Sequence, residues 1–176
     1  IRIIDPKAKL DLGGIAKGYV ADELTTLLEK EGVTSAVINL GGNISPIGGK
    51  PDGSPFIIGI EKPYTDRTEI IGTTTADNQT VVTSGIYERQ FQKDGKIYHH
   101  VLSSKTGYPV ETQLEAVSLV AKKGRSMDID AMSTICLMKG VDGGKAFIKK
   151  QKGVEAVFSA QGKEVAKTKG MKFTAE

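Results

Sequence analysis

Short apolar runs separated by glycine, proline and polar residues dominate the chain and predict an alternation of strands and helices. Six runs have the length and the β-branched content of strands: residues 35–40, 56–61, 69–75, 80–85, 114–122 and 154–160. Residues 87–102 predict a hairpin with Asp94 and Gly95 at its tip, because Asp-Gly suits a two-residue turn.

Both ends of the chain carry weaker strand signals. Residues 1–4 and 9–12 predict two short strands around an Asp5-Pro6 turn. The basic tail after Gly162 predicts a final strand.

Two regions repeat their apolar residues with the period of an α-helix. The first covers residues 14–31 and ends at Gly32. Its predicted buried face consists of Val20, Leu24, Leu27 and Leu28. The second begins at Ser126, whose hydroxyl suits an N-cap, and ends before Gly140, with a further helix expected over residues 143–152.

The mixture of helices and turn-connected strands predicts an α+β fold with a mostly antiparallel sheet and helices packed on it. No repeat, low-complexity segment or linker divides the sequence, so we expect a single domain over residues 1–176. No run of 18 apolar residues occurs, so no membrane-spanning helix is expected.

The composition does not call for a nucleic-acid partner. The formal net charge is +3, aromatic residues make up 6% and tryptophan is absent. The chain therefore lacks the aromatic platforms on which single-strand binders stack bases, and its modest charge fits a small anion. The one cysteine, Cys136, lies in an apolar helix pattern and predicts a buried, unreactive thiol.

The stretch LDLGGIAKGYVADEL, residues 10–24, surrounds Lys17 with Gly13, Gly14 and Gly18 where the first helix begins. Free backbone N–H groups and the positive end of the helix dipole favour an anion such as phosphate, and Lys17 adds a full charge. The spacing is neither a P-loop nor a G-x-G-x-x-G motif. A tight strand-to-helix turn with a solvated lysine is therefore the alternative interpretation.

The stretch SMDIDAMST, residues 126–134, offers oxygen ligands. On a helix Asp130 and Thr134 share a face, whereas Asp128 points about 200° away from Asp130. A carboxylate with a hydroxyl suits Mg²⁺, which takes its other ligands from phosphates and water. In the alternative interpretation the two aspartates cap the helix and the Thr134 hydroxyl bonds the Asp130 carbonyl.

The stretch YHHVLSSKTGYP, residues 98–109, contains the two histidines, His99 and His100. Adjacent residues of a strand point to opposite faces, so both imidazoles cannot ligate one metal from the same side. One of them can serve as a general base or bind a ligand. A hairpin whose histidines have no special role is the alternative.

Together these stretches are more specific than any one of them. LDLGGIAKGYVADEL, SAVINLGGNI, GKPDGSPFIIGIEKP, VVTSGIYERQF, GKIYHHVLSSKTGYPV and MDIDAMSTICLMKG resemble, in this order, the ApbE family of FAD:protein FMN transferases. The resemblance spans about residues 8–158. It implies an ApbE-like (T-fold-like) domain.

The resemblance also implies an activity: Mg²⁺-dependent transfer of FMN from FAD to a Ser or Thr hydroxyl of an acceptor protein, with release of AMP. The family's metal ligands fall on Asp130, Thr134 and the backbone carbonyl of Ala16. His100, ahead of His99, or the Asp130 carboxylate would accept the proton of the acceptor hydroxyl. The residues implied around the cofactor are Asp11, Gly14, Lys17, Asp22, Ser84 and Gly85.

Two departures from the family leave alternatives open. Family members are usually longer, with the additional half before residue 1, so the chain is expected to lack the family's N-terminal half. Ser103-Ser104 stands where the family commonly has Asp-Pro after the histidines. The alternatives are a protein that binds FAD without transferring it, and an FAD pyrophosphatase in which water replaces the acceptor hydroxyl.

The resemblance implies an extracytoplasmic location, in the periplasm or at the outer face of the cell membrane, often as a membrane-associated lipoprotein. The expected partners are FAD and a flavin-acceptor protein with a Ser or Thr target, without nucleic acid. A missing half would leave sheet edges and apolar surface open, so a homodimer or a complementing N-terminal fragment is a further expected partner.

Overall fold

Three layers of secondary structure form the fold, with a six-stranded sheet in the middle. The chain is described here by a computed structural model that covers residues 2–66 and 68–176. The central sheet has the spatial order β1 (Ala36–Asn39), β2 (Asn43–Ile47), β5 (Gln79–Gly85), β8 (Ala116–Lys122), β9 (Val154–Ala160) and β10 (Lys163–Lys167). All pairings within it are antiparallel.

Two helices cover one face of the central sheet. They are α1 (Ala16–Lys30) and α2 (Ser126–Ile148), and α2 breaks at Gly140, whose φ of 68° and ψ of −174° are not helical. The apolar side of α2 packs through Ile129 and Leu137 onto β8 and β9, and both side chains are fully buried. Within the described ranges, neither helix combines the length and the apolar content needed to cross a bilayer.

A second, three-stranded sheet covers the other face. Its order is β11 (Phe173–Ala175), β4 (Ile70–Ala76) and β3 (Phe56–Glu61), again antiparallel. Val81, Val120 and Val157 of the central sheet pack against Ile58 and Ile60 of β3. Because β8 is covered on both faces, six of its seven residues are buried, and all of these but Ser118 are apolar.

A hairpin stands apart from both sheets. It consists of β6 (Gln90–Lys93) and β7 (Lys96–His99), preceded by a 3₁₀ turn at Ile86–Glu88. Asp94 and Gly95 both have positive φ, 52° and 73°. The structure therefore confirms the predicted Asp-Gly turn, whose two central residues need this conformation.

The α+β prediction and the six predicted strands are confirmed, and the basic tail forms two strands, β10 and β11, in different sheets. No strand was predicted at the position of β2, which contains Pro46. The strand tolerates this proline since only Asn43 and Ile44 pair with β5. Burial removes Cys136 from water and raises the pKa of its thiol to about 12, which agrees with an unreactive group.

The strands predicted at residues 1–4 and 9–12 are wrong for the described part of this segment. Residues 2–12 form no strand, and Ile1 lies outside the described residues. Ile3, Ile4, Leu10 and Leu12 are 53%, 85%, 59% and 52% exposed. A strand exists only by pairing, and no described strand runs beside this segment to supply hydrogen bonds.

The predicted apolar face of α1 is wrong in part, since Leu24 and Leu28 are only half-buried. Val20 and Leu27 are exposed, whereas Gly18, Ala21 and Thr25 are buried. The reason is the closeness of α1 to the start of α2: a Cβ at Gly18 would lie 2.4 Å from the Ser126 carbonyl oxygen. Only small residues fit at such a contact, so small size outweighs hydrophobicity on this face.

Candidate functional site

A cavity of about 340 Å³ opens where the segment before α1, the end of β5 and the residues after β7 meet the middle of α2. Residues singled out from the sequence form much of its wall: Asp11, Gly14, Lys17, Ser84, Gly85, His100, Asp130 and Thr134. The fold therefore brings together side chains from four distant stretches of the sequence.

Asp130 is the buried charge of this cavity. Its side chain is 4% exposed, and Oδ2 accepts a hydrogen bond of 2.9 Å from the Gly18 N–H. Burial raises the pKa of Asp130, although the Gly18 N–H and the Lys17 charge oppose that shift. Oδ1 accepts no hydrogen bond from the rest of the described chain, so one oxygen is held in place and the other is available to a ligand.

Thr134 lies one helical turn beyond Asp130 and lines the same cavity. The alternative interpretation, in which the Thr134 hydroxyl bonds the Asp130 carbonyl, is wrong. The hydroxyl that bonds the Asp130 carbonyl belongs to Ser133, at 2.8 Å. Asp128 is exposed and pairs with Arg125 at 3.2 Å. The Thr134 hydroxyl is thus left for a ligand.

The oxygen donors of this cavity fit Mg²⁺ better than a softer metal. Among the described residues, no three His, Cys, Asp or Glu side chains come together as a metal-binding group. A carboxylate and a hydroxyl on one helix face suit a hard cation that takes most of its ligands from phosphate and water. Ala16, expected to add its carbonyl, is the first residue of α1 and is not part of the cavity wall.

The beginning of α1 supplies positive charge and backbone donors. Lys17 Nζ donates to the Gly41 carbonyl at 3.0 Å, which holds the ammonium beside the cavity. The backbone N–H groups of Gly14 and Lys17 donate no hydrogen bond within the part of the chain that the structure describes. A Cβ at Gly14 would meet no atom within 4 Å. The backbone here is therefore open to an incoming anion.

Ser84 and Gly85 form the wall opposite α1. The Ser84 and Ser133 hydroxyls are 2.6 Å apart and tie β5 to α2. A Cβ at Gly85 would lie 2.3 Å from the Tyr87 ring. The glycine is thus required by the protein's own packing, a reason that the sequence alone did not suggest.

The two histidines face different cavities, as the alternation along a strand predicts. His100 lines the Asp130 cavity, and its Nδ1 lies 3.2 Å from the Arg89 carbonyl. A carbonyl only accepts, so Nδ1 carries the proton and Nε2 keeps the lone pair that a base needs. His99 is 8% exposed and lines a separate groove beside β7, so the catalytic role considered for it has no support from this geometry.

His99 makes the stability depend on pH. Its Nε2–H donates to the Val110 carbonyl at 3.1 Å, and its buried Nδ1 has no partner. Burial lowers the pKa of His99 below 6.5, which outweighs the opposing effect of that hydrogen bond. The unfolded chain therefore binds a proton at His99 at a pH where the folded chain does not.

We expect the free energy of unfolding to fall as the pH drops below about 6.5. In the His99→Gln variant this part of the pH dependence should disappear. The measurement is urea denaturation at about pH 7.5 and about pH 5.5, with the exposed His100 replaced by Gln as the control. An unchanged slope in His99→Gln would contradict the assignment.

Asp22, implied as a cofactor residue, has a different role in the structure. Its two carboxylate oxygens accept the N–H groups of Ser126 and Met127, each at 3.0 Å, and so cap α2 from outside. The Ser126 hydroxyl, expected to be the N-cap, instead lies within hydrogen-bond distance of Asn43, Ser45 and Thr80. Asp22 therefore positions the helix that carries Asp130.

Replacing Asp22 by Ala should lower the free energy of unfolding by about 1–2 kcal/mol, because two helix N–H groups lose their acceptor and the dipole loses a charge. Denaturant titration measures the loss. Glu23→Ala, at the neighbouring exposed position of α1, is the matched control and should stay within about 0.5 kcal/mol of the wild type.

Two contributors escaped the sequence analysis. Gly18 was seen only as part of a glycine turn, yet it donates to Asp130 and lets α1 touch α2. The spacing of Gly18, Ala21 and Thr25 on one helix face was the signal that could have identified it. Arg89 also lines the cavity beside His100, to which its carbonyl is hydrogen-bonded, and a guanidinium there would suit phosphate.

The departure at Ser103-Ser104 leaves the following turn closed. The Ser103 N–H donates to the Tyr108 carbonyl and the Gly107 N–H donates to the Ser103 carbonyl, both at 2.8 Å. A hydroxyl thus replaces a carboxylate without opening the segment that follows His100.

Comparisons with known proteins identify the family of this chain. The sequence model of the ApbE family matches residues 2–158. The FAD:protein FMN transferase of Klebsiella pneumoniae is 38% identical over 160 residues, which are 91% of this chain and 48% of that protein. The corresponding protein of Treponema pallidum is 34% identical and is covered over 49% of its length.

Solved structures show the same likeness. The ApbE protein of Thermotoga maritima superposes with a TM-score of 0.74 at 30% identity, covering 96% of this chain and 51% of that one. The apo flavinyl transferase ApbE of Pseudomonas stutzeri has a TM-score of 0.70 at 33% identity, covering 87% and 46%. The chain thus spans about half the length of the curated relatives it matches.

Proposed function

The chain belongs to the ApbE family, and on that premise we propose that it transfers FMN from FAD to a Ser or Thr hydroxyl of an acceptor protein, releasing AMP. One observation carries the proposal. A single cavity is lined by the buried Asp130 carboxylate with one unbonded oxygen, the Thr134 hydroxyl, His100 and the beginning of α1 with its free N–H groups. These are the groups that phosphoryl-type transfer needs, since it requires charge neutralisation, positioning and a proton acceptor.

The diphosphate of FAD would lie against the start of α1. The unpaired N–H groups of Gly14 and Lys17, together with the Lys17 ammonium, offer donors to its oxygens. Arg89 adds positive charge from the other side of the cavity. Asp11 is occupied locally, because its Oδ1 accepts the Gly13 N–H at 2.6 Å. It therefore shapes this turn and orients the backbone donors.

Asp130 and Thr134 would hold a Mg²⁺ ion. The family implies the Ala16 carbonyl as a third ligand, although Ala16 lies outside the cavity wall. The ion would supply charge neutralisation at the diphosphate. The Gly18 N–H fixes one Asp130 oxygen, so the carboxylate needs little reorganisation when a cation binds.

His100 is the group best placed to accept the proton of the attacking hydroxyl. The bond from Nδ1–H to the Arg89 carbonyl sets the tautomer and leaves Nε2 unprotonated. The Asp130 carboxylate is the second candidate base. The acceptor protein provides the nucleophilic hydroxyl, so the chain needs no covalent nucleophile of its own.

The test is to incubate the chain with FAD, Mg²⁺ and a peptide library with one central Thr per peptide, and to identify products by mass. Labelled peptide and AMP, both absent when a chelator is added, support the transferase. Free FMN and AMP without labelled peptide would show an FAD pyrophosphatase instead. FAD that binds but stays intact would show a binding protein.

Location and assembly are part of the same proposal. From the family alone we propose that the protein works outside the cytoplasm, as a membrane-associated lipoprotein, which fractionation of cells that produce the protein would test. A second copy or an N-terminal fragment is proposed to cover the exposed Ile3, Ile4, Leu10 and Leu12, and sedimentation would measure that association.

A further inference from the structure

Among the described residues, no strand pairs with the edge of β7 that faces away from β6. The His100 N–H donates to the Arg89 carbonyl at 3.2 Å, so these two residues form a hydrogen-bonded pair just beyond the hairpin strands. Such pairs alternate along an antiparallel ladder, so the backbone groups of Ile97 and His99 point away from β6. Neither N–H donates a hydrogen bond within the described ranges. Two donors and two acceptors are thus presented along one edge.

A groove of about 800 Å³ runs along this edge. Its other wall is the segment 108–112, which follows the turn at residues 103–107 and pairs with Leu102 through Pro109. Ile97 and Tyr108 are 45% and 68% exposed at its rim, whereas His99 is 8% exposed and belongs to its floor. An extended chain would find apolar contacts on both sides and backbone partners on one.

The groove lies next to the Asp130 cavity. Met138 of α2 lines both spaces. His99 belongs to the groove and the next residue, His100, belongs to the cavity. The Val110 N–H donates to the Val101 carbonyl at 3.0 Å, so this edge is open only as far as His99. A strand advances about 3.3 Å per residue, so a chain paired at Ile97 and His99 ends beside His100.

We propose that this groove binds an extended segment of the flavin-acceptor protein, which adds to β7 as a strand and delivers its Ser or Thr hydroxyl to His100. The inference rests on the proposed FMN transfer. A free strand edge matches a peptide backbone and gives affinity without a fixed sequence, while the pockets beside it select alternate side chains. Lys96 on one wall and Glu111 on the other would contact opposite charges of that segment.

The first test removes the outward N–H of Ile97. Ile97→Pro deletes this donor but leaves the bonds between β6 and β7 in place, because Ile97 does not donate to β6. The matched control is Gln92→Pro, since Gln92 pairs with Ile97 in the hairpin and faces the opposite edge. We expect kcat/KM for a labelled library peptide to fall about tenfold or more in Ile97→Pro alone, with FAD binding unchanged.

The second test places the change in the peptide. N-methylation at successive positions of one labelled peptide should abolish transfer at every second residue and be tolerated between them, because a strand presents alternate N–H groups to one edge. If both proline variants lose activity because proline disturbs the hairpin, this scan still shows whether the peptide binds as a strand. A flat response to N-methylation would overturn the inference.

The two levels of the proposal fail in different ways. If the wild-type chain labels no peptide and no protein acceptor, FMN transfer is refuted and the groove inference falls with it. If the wild type labels peptides and Ile97→Pro labels them equally well, the groove inference alone is overturned. Labelling that fails only in Ile97→Pro supports both.

Discussion

Asp130→Asn should reduce FMN transfer by at least about 100-fold while leaving the fold intact. Removing a residue that hydrogen-bonds to a metal ligand typically lowers metal affinity or activity about 10–100-fold. Removing the charge of the proposed ligand itself should lower activity further. Asparagine keeps an oxygen that can accept the Gly18 N–H, which preserves the contact between α1 and α2. The measurement is the rate at which a peptide acquires FMN at saturating FAD.

The stability of the same variant separates a functional role from a structural one. Burial raises the pKa of Asp130, so the folded chain holds the proton more tightly than the unfolded chain. This residue's contribution to stability therefore falls as the pH rises through its folded pKa, and at neutral pH the buried charge is a cost. We expect Asp130→Asn to unfold at the same or a higher denaturant concentration than the wild type.

Asp128→Asn is the matched control for activity. Asp128 lies two residues earlier on α2, is exposed and pairs with Arg125 at the surface. Such a pair contributes less than about 1 kcal/mol, so transfer and stability should both stay near the wild type. Equal activity losses in the two variants would contradict the specific role proposed for Asp130.

Gly18→Ala should give the largest loss of stability of any single methyl addition near the site. The new Cβ would lie 2.4 Å from the Ser126 carbonyl oxygen and 2.6 Å from the Met127 Cα, and both are backbone atoms. Neither can move without shifting the first turn of α2. We expect the free energy of unfolding to fall by about 3 kcal/mol, at the upper end for overpacking.

Gly14→Ala is the comparison for that variant. No atom lies within 4 Å of the added Cβ, so the fold should be unaffected, while FAD binding should weaken if the diphosphate approaches this backbone. Denaturant titration and FAD titration of both variants measure the two effects. A Gly18→Ala protein within about 0.5 kcal/mol of the wild type would contradict the close packing described here.

The sequence predicted most of the strands, because buried strands leave largely apolar runs such as 116–121, which lies in β8. It also predicted that Asp130 and Thr134 share a face, since that follows from helix geometry alone. His100 and His99 were placed on opposite sides for the same kind of reason. Local periodicity was sufficient for all of these.

What escaped prediction depends on contacts between distant parts of the chain. Nothing near Asp22 in the sequence indicates that it caps a helix beginning at Ser126, 104 residues later. The buried face of α1 was misjudged because the position of α2 determines which of its sides needs small residues. Strands at residues 2–12 failed since a periodic pattern does not reveal whether a pairing neighbour exists.

The bond between Gly18 and Asp130 also determines when the site can exist during folding. It joins residues 112 positions apart. Closing so long a loop costs chain entropy, and contacts between residues near in sequence form without that cost and therefore earlier. A nascent chain that ends before α2 holds strands β1 to β8 but neither Asp130 nor Thr134. The cavity is therefore completed late, and a ligand bound there stabilises the whole chain against unfolding rather than one part of it.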